Sequence, residues 1–144
     1  MSALHWICAL TLALVCCLSA QPVKRHADEK SLERSLVKKE IFPRLDNFTK
    51  FTKNNCPDDT KMYTPTDIHK GCLSSALNCV KMELLVLKEE CNLNEDIFDN
   101  LYTELDYAET ETSPSSSSCQ ACELYPEQDA QQFLKAIRDL VERW

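Results

Sequence analysis

Four cysteines form two closely spaced pairs whose spacing suggests disulfide chemistry. Cys72 and Cys79 are seven residues apart in a helical pattern, and Cys119 and Cys122 form a Cys-x-x-Cys motif. Positions seven apart on an α-helix face the same way and lie about 10 Å from each other along the axis. That separation is too large for a disulfide bond, which needs Cα atoms within about 7 Å. Each cysteine of the first pair must therefore bond elsewhere, and the Cys-x-x-Cys pair is available to both.

The Cys-x-x-Cys motif also occurs in redox enzymes and in zinc sites. A thioredoxin-like redox motif needs a β-α-β context and an electropositive helix start, and the sequence around Cys119 shows neither. A zinc site that combined the motif with Cys72, Cys79 and His69 is disfavoured in an oxidising compartment. We therefore expect structural disulfides, each stabilising the fold by about 2 to 4 kcal/mol. No metal or cofactor is expected.

The first 20 residues have the composition of a secretory signal peptide. They contain no Asp, Glu, Lys or Arg, run apolar from Trp6 to Leu18, and end in small residues at Ser19 and Ala20. An uncleaved anchor is the alternative, but the apolar run is shorter than the roughly 20 residues that a membrane span needs. Cleavage removes Cys8, Cys16 and Cys17. Six cysteines then remain for an oxidising compartment, and three disulfides are the default although the count alone leaves the pairing open.

The helical pattern from Cys72 to Cys91 is the element that positions the first cysteine pair. Its apolar stripe, at steps of four and three, contains Leu73, Leu77, Val80, Leu84, Leu87 and Cys91. A second stripe, about 100° further round the helix, contains Cys72, Ala76, Cys79, Glu83, Val86 and Glu90. The same helix therefore presents a core stripe, two cysteines and two acids.

Three further helices are predicted from their apolar positions. These positions are Leu32, Leu36, Ile41, Leu45, Phe48 and Thr52 in the first helix, Ile97, Leu101, Leu105 and Ala108 in the third, and Ala130, Phe133, Ile137, Leu140 and Trp144 in the fourth. Pro43 interrupts the first helix, which is therefore either kinked near Lys39 or stable only from Phe42 onward. The fourth helix is predicted to begin with Pro126 in its first turn.

The connections between the four predicted helices are long, short and long. Residues 54–70 form the first, the second follows Cys91 directly, and the acidic and Ser-rich residues 109–118 form the third. A short connection joins antiparallel neighbours, whereas two long crossovers are typical of the up-up-down-down arrangement. We predict an all-α, short-chain, up-up-down-down four-helix bundle with structural disulfides over residues 21–144, in which residues 21–30 are a loose leader.

This topology brings the two remaining cysteines together. In an up-up-down-down bundle the first and second helices end at the same pole. Cys56 lies just past the end of the first helix, and Cys91 lies at the end of the second. A bond between them closes the long first crossover.

Surface charge and a sequon indicate the kind of partner and a modification. Residues 24–53 contain nine Lys or Arg and five Asp or Glu, a net charge of about +4, so, because the formal charge of the whole chain is −7, the remaining residues carry about −11. The acidic part disfavours nucleic acid and favours a basic receptor surface. Asn47-Phe48-Thr49 is an N-glycosylation sequon whose Asn points to solvent on the helical wheel. We expect a secreted monomer that does not insert into membranes.

Several short motifs resemble the interleukin-15 and interleukin-15-like family, in the interleukin-2 group of short-chain four-helix cytokines. The motifs are Tyr63-Thr64, Asp67-Ile68-His69, Cys72, Cys79, Glu83-Leu84, Val86, Cys119-x-x-Cys122-Glu123 and Phe133-Leu134. The resemblance covers roughly residues 59–144. It implies the pairing of Cys72 with Cys119 and of Cys79 with Cys122. It also implies a cytokine that binds a sushi-type α receptor and signals to lymphoid cells through Jak-STAT, using a β-type and a shared γ receptor chain.

The resemblance also assigns receptor contacts to particular residues. The α-receptor positions are Tyr63, Glu83, Val86 and Glu90. The β-chain asparagine of the third helix corresponds to Asn100, and its acidic partner on the first helix to Glu40, with Asp46 as the next candidate. The γ-chain glutamine of the last helix is Glu142 here, which departs from the family pattern. Cys56 and Cys91 are additions to the basic four-cysteine pattern.

Two other functional classes remain as alternatives. A saposin-like lipid-binding protein is also helical with six cysteines, but its cysteines would bracket helices near both chain ends, and here none lies within the last 20 residues. A hydrolase is disfavoured because the chain has three His and no nucleophile elbow. No catalytic residue is therefore predicted.

Overall fold

The computed structural model describes residues 22–144, with side chains from residue 27 onward. Its helices are α1 (Pro22–Asn55), α2 (Leu73–Cys91), α3 (Glu95–Thr110) and α4 (Ala130–Arg143), and its strands are β1 (Met62–Tyr63) and β2 (Glu127–Gln128). A 3-10 turn, Cys122–Leu124, precedes β2. The predicted signal peptide, residues 1–20, lies outside the described residues. Residues 36–144 form one compact unit, which contains the bundle, and the residues up to 35 belong to another.

The first two helices end at the same pole of the bundle. Cys56 directly follows α1 and is bonded to Cys91, the last residue of α2, with their Cα atoms 4.4 Å apart. Only three residues separate α2 from α3, so these two helices are antiparallel neighbours. At the other pole, the backbone N–H of Ser75 in α2 donates to Ser115 Oγ, 2.8 Å away, just after α3 ends.

The last helix runs antiparallel to the first. Near the end of α1, Thr52 Oγ1 accepts a hydrogen bond of 2.8 Å from Gln131 at the start of α4. Earlier in α1, Lys38 Nζ donates over 3.2 Å to the backbone oxygen of Glu142 at the end of α4. The predicted up-up-down-down four-helix bundle is thereby confirmed.

The two long crossovers lie side by side and pair as a two-residue antiparallel ribbon. Tyr63 of β1 is opposite Glu127 of β2, and the ribbon continues with a 2.9 Å bond from the N–H of Thr64 to the oxygen of Pro126. The predicted start of the fourth helix at Pro126 was therefore wrong. The helix begins after Asp129, whose side chain caps it by accepting from the N–H of Gln132.

The core is made of the apolar stripes of the four helices. The predicted positions of α4 are all buried, as are Leu77, Val80, Leu84, Leu87 and Cys91 of α2. In α3 the prediction was wrong by one residue, since Ile97 is 37% exposed and Phe98 is buried instead. The Phe98 ring stacks on Tyr102 with centroids 5.4 Å apart and lies under the ammonium group of Lys88. Burying the larger ring removes more apolar surface from water than burying Ile97 would.

Helix α1 is longer than predicted and is continuous through Pro43. The segment 21–30, predicted to be loose, is helical from Pro22, and the alternative in which the helix begins at Phe42 was also wrong. Residues 27–40 are rich in Ala, Leu, Glu, Lys and Arg, which have high helix propensity. Pro43 is exposed, so water can hydrogen-bond to the carbonyl that loses its partner. Leu32 and Leu36, predicted to be buried, are 61% and 52% exposed.

Three disulfide bonds tie the described part of the chain together. They join Cys56 to Cys91, Cys72 to Cys119, and Cys79 to Cys122, which are the expected pairs. A thioredoxin-like site and a zinc site both need free thiols or thiolates, and all six sulfurs are already bonded to another sulfur. The two cysteines of the Cys-x-x-Cys motif bond to different turns of α2 instead of to each other. No helix within residues 22–144 is long and apolar enough to cross a membrane.

Candidate functional site

The outer surface of α2 carries the candidate residues on a side that the core does not use. Glu83 is half-buried, Val86 is 36% exposed and Glu90 is exposed. The neighbouring stripe, about 100° away around the helix, contains Leu84 and Leu87, which are fully buried, and this leaves the candidate residues toward solvent.

A hydrogen bond joins the first crossover to α2 at the centre of this surface. The backbone N–H of Tyr63 donates to Glu83 Oε2 over 2.8 Å. Tyr63 is also the β1 residue that pairs with Glu127. The tyrosine is thus held between the ribbon and α2, and two predicted site residues that are 20 apart in sequence are in direct contact.

The second crossover adds two further acids to the same surface. The Cys79–Cys122 bond anchors the 3-10 turn beside α2, which places Glu123 near Glu83, while the ribbon places Glu127 there as well. Sequence reasoning did not assign either acid to the site. The position of Glu123 directly after Cys122 could have indicated that this acid lies beside α2. The position of Glu127 depends on strand pairing that no sequence pattern indicated.

Burial and like charges both disfavour a negative charge at Glu83. Partial burial is the main cause that raises its pKa above the usual value, and the charges of Glu127, Glu123 and Glu90 raise it further. The N–H of Tyr63 opposes this effect by stabilising the carboxylate. We refer to Tyr63, Glu83, Val86, Glu90, Glu123 and Glu127 as the acidic face. It is a surface with concentrated negative charge, supported by the ribbon and by the Cys79–Cys122 bond.

The candidate residues Glu40 and Asn100 lie on a different side of the bundle. Arg44 Nη2 of α1 is 3.3 Å from the carboxylate of Glu40 and 4.0 Å from that of Glu104 on α3. Asn100 is one helical turn before Glu104, is exposed, and donates to the oxygen of Asp96 over 2.7 Å. Glu40 and Asn100 are thus brought to the surface where α1 and α3 meet, which we call the α1–α3 side.

The remaining candidates lie where α1 meets α4. Asp46 is paired with Arg138 of α4, and the Arg138 guanidinium also covers the ring of Phe42 at 5.0 Å. Glu142 is exposed near the end of α4, and its backbone oxygen accepts from Lys38 of α1. Asp46 therefore belongs to the α1–α4 side, whereas Glu40 and Asn100 share the α1–α3 side. Because α1 and α3 are antiparallel, Glu40 and Asn100 lie in opposite directions along the bundle from the Arg44–Glu104 pair, each about one helical turn from it.

A buried cation that was not predicted joins α2 to α3. Lys81 is 7% exposed, and its Nζ lies 2.5 Å from both Asp106 Oδ1 and Glu109 Oε2. Burial alone lowers the pKa of Lys81, but the hydrogen bonds and charges of the two carboxylates outweigh it and raise that pKa. Two carboxylates on α3 thus compensate the buried charge of Lys81 and tie this part of α2 to the segment of α3 that carries them.

The alternative functional classes can be compared with the described residues. Within residues 22–144, no three His, Cys, Asp or Glu are placed to hold a metal ion together. The disulfides also argue against the saposin-like alternative, because Cys72 and Cys79 bond only to the Cys-x-x-Cys motif and the final helix is not cross-linked. The arrangement suits recognition of a protein surface.

Comparison with known proteins agrees with the fold and the disulfides. A sequence model of the family described as Interleukin 15 matches residues 12–144. Interleukin-15 of Mus musculus is 31% identical over 87 residues, which are 58% of this chain and 54% of the mouse protein, slightly more than half of its length. Interleukin-15 of Ailuropoda melanoleuca is 26% identical over 129 residues, and that of Marmota monax is 25% identical over 130, each covering 88% of this chain and 74% of the relative. Since the family match spans nearly the whole chain, the protein belongs to the interleukin 15 family of four-helix cytokines.

Proposed function

We propose that this chain is a secreted cytokine that binds a sushi-type α receptor and assembles a β-type and a shared γ receptor chain. Their assembly starts Jak-STAT signalling in lymphoid cells. The observation that carries the proposal is the bond from the Tyr63 N–H to Glu83, at the centre of the acidic face. The residues that this bond brings together are those to which the family resemblance assigns α-receptor binding. The cytokine acts either free or presented on its α receptor.

The acidic face has the properties of a surface that binds a basic partner. Its charge attracts a positively charged domain and accelerates encounter, while like-charged proteins are repelled. Val86 supplies an apolar contact between the acids, and Met82 and Leu85 on the same helix are 57% and 44% exposed. Because Tyr63 is already held by the ribbon and by Glu83, little conformational freedom is lost on binding.

The three sets of candidate residues occupy separate sides, so three receptor chains can bind at the same time. The α receptor uses the acidic face, the β-type chain uses Glu40 and Asn100 on the α1–α3 side, and the γ chain uses Glu142 on the α1–α4 side. Helix α1 contacts α3 and α4, and helix α2 contacts the same two helices. Helices α1 and α2 therefore occupy diagonal positions in the bundle, and the outer surface of α1 faces away from the acidic face on α2. This separation supports a cytokine that links receptor chains.

Secretion is part of the proposal and rests on the amino-terminal sequence and the cysteines. Residues 1–20 have the composition of a cleaved signal peptide. Three disulfide bonds are typical of a small protein that folds in an oxidising compartment. Mass spectrometry of the protein secreted by expressing cells tests the cleavage, which we expect near Ala20.

Binding to an immobilised interleukin-15 α-receptor sushi domain tests the α-receptor assignment. We expect submicromolar binding whose association rate falls as salt is added, because screening weakens the attraction between opposite charges. The variant Glu90→Lys with Glu127→Lys should slow association, and it leaves the Tyr63–Glu83 bond intact. Asp99→Lys with Asp58→Lys reverses two exposed acids outside the acidic face and is the control for the same change in net charge. Absence of binding at micromolar concentration, or equal rates for the two variants, would contradict the assignment.

A further inference from the structure

The glycosylation sequon lies on the same surface of α1 as a candidate receptor residue. Asn47 is exposed and is seven residues after Glu40 on a continuous helix. Seven residues correspond to a rotation within about 20° of two full turns and a rise of about 10 Å, so the two side chains follow each other along one line. An N-linked glycan is much bulkier than a side chain. A glycan on Asn47 therefore extends over the surface that Glu40 shares.

The orientation of this line relative to the neighbouring helices follows from the ion pairs of α1. Arg44, three residues before Asn47, points toward α3, where it reaches Glu104 at 4.0 Å. Asp46, one residue before Asn47 and about 100° away around the helix, is paired with Arg138 of α4. The line from Glu40 to Asn47 thus lies on the outer surface of α1 toward α3 and away from α4.

The acidic face lies on the other side of the bundle. It is built on α2 and the two crossovers, and α2 is joined to α3 by Lys81 on the side of α3 that is turned away from Glu104. Asp106 and Glu109, which contact Lys81, are about 160° and 140° from Glu104 around α3. A glycan on α1 therefore leaves the acidic face uncovered.

We propose that an N-glycan on Asn47 covers the α1–α3 side and restrains binding of the β-type receptor chain while leaving α-receptor binding unchanged. This inference rests on the proposed function, since it needs the β-type chain to use Glu40 and Asn100. The glycan acts as a selective shield, so glycosylated protein is captured by the α receptor but engages the β-type chain slowly.

The modification itself is a transfer from an oligosaccharide linked to a lipid diphosphate. The amide nitrogen of Asn47 forms a bond to the anomeric carbon of the first sugar, and the bond from that carbon to the diphosphate oxygen breaks. The lipid diphosphate leaves with the electron pair, and the amide gives up one proton to a base. In the folded chain Thr49 is half-buried and its hydroxyl donates to the oxygen of Leu45 over 2.8 Å. Because this hydroxyl is engaged within the helix, we expect the transfer to take place before α1 forms.

The test compares glycosylated and deglycosylated forms of the full chain secreted by animal cells. Intact-mass measurement gives the occupancy of Asn47, and amidase treatment of the folded protein removes the glycan. Both forms are then passed over the immobilised β-type receptor chain and, separately, over the α-receptor sushi domain. We expect glycan removal to accelerate association with the β-type chain about tenfold, at the lower end of the range of rate changes seen within one interface. Binding to the sushi domain should not change.

Two variants separate the position of the glycan from its presence. Asn47→Gln abolishes the sequon and should behave like the deglycosylated protein. Asn47→Gln with Lys50→Asn moves the sequon three residues along α1, where Thr52 completes it, and about 60° toward α4. The β-type chain should bind this variant faster than the natural glycoprotein.

Each result supports or overturns a definite statement. An unmodified Asn47 in the secreted chain overturns the modification, and equal β-type binding before and after amidase treatment overturns the shielding. Loss of sushi-domain binding in the glycosylated form also overturns the shield, because it places the glycan over the acidic face. If the β-type chain binds neither form, the receptor assignment of Glu40 and Asn100 fails, and the shielding inference fails with it.

Discussion

Replacing Glu83 by Gln separates the charge of this residue from its hydrogen bond. The variant keeps a side-chain oxygen that can accept the Tyr63 N–H, now 2.8 Å from the carboxylate. A neutral acceptor weakens that bond by roughly 1 kcal/mol. Against this loss, Gln removes the desolvated charge and its repulsion by Glu127, Glu123 and Glu90. The pKa of Glu83 is raised even though the hydrogen bond from Tyr63 lowers it. Burial and repulsion therefore outweigh the hydrogen bond, and the neutral side chain suits the folded state better than the charged one.

We therefore expect Glu83→Gln to be as stable as the natural protein or more stable at pH 7. Because Glu83 is partly exposed, the gain is limited to about 1 kcal/mol, which urea unfolding with intact disulfides measures. The pKa of Glu83 is higher in the folded than in the unfolded state, so its unfavourable contribution is absent below the unfolded pKa and complete above the folded pKa. The difference between the two proteins should shrink as the pH is lowered through the folded pKa toward about 4.

The same variant should bind the α-receptor sushi domain at least about tenfold more weakly, a loss of ~1.4 kcal/mol, mainly through slower association. Asp99→Asn removes one negative charge from an exposed site outside the acidic face and is the matched control. Unchanged binding of Glu83→Gln would refute the use of its charge in recognition. Destabilisation by more than about 1 kcal/mol would show that the hydrogen bond outweighs burial and repulsion, contrary to the direction of the pKa shift.

Two further predictions concern the framework that supports the acidic face. Lys81→Met should lower the free energy of unfolding by about 2 kcal/mol at pH 7, because two carboxylates lose their shared cation. The pKa of Lys81 is raised in the fold, so this stabilisation is complete below the unfolded pKa and is lost as the pH rises through the folded pKa, as denaturant titrations at neutral and alkaline pH can show. Replacing both Cys56 and Cys91 by Ser should cost about 3 to 4 kcal/mol, from the entropy of a loop whose ends are 35 residues apart. Calorimetric unfolding measures this loss, and a cost below about 1 kcal/mol would contradict the entropic argument.

The bundle could be predicted because its determinants are local and periodic. Leu84 and Leu87 recur at helical spacing and are fully buried, and the lengths of the connections indicated the topology. The apolar pattern predicted burial wrongly at some positions, because it does not show how much space the core has there. Leu32 and Leu36 continue the apolar pattern of α1 but are exposed, so the pattern alone did not show which turns of the helix are buried. Phe98 displaced Ile97 from the core for a similar reason, since side-chain size decided between two adjacent positions.

The site was predicted only in part. Glu83 and Glu90 share a helix stripe with Cys72 and Cys79, so their common surface follows from helix geometry. The contact between Glu83 and the backbone of Tyr63 joins a loop to a helix, and no spacing rule indicates it. The receptor roles themselves came from resemblance to a family and remain proposals.

By itself, the sequence determined the helical class, the stripes of the four helices and the cysteines that must find distant partners. These features depend on spacing along the chain, because the helical repeat determines which side chains lie on the same face. The tertiary structure decided which acids surround Tyr63, because Glu123 and Glu127 reach α2 only after the second crossover is bonded to Cys79 and paired with β1. It also decided that Lys81 is buried between two carboxylates on α3. Charge and burial at a site depend on neighbours that are far apart in the chain, and only folding brings them within a few ångströms of each other.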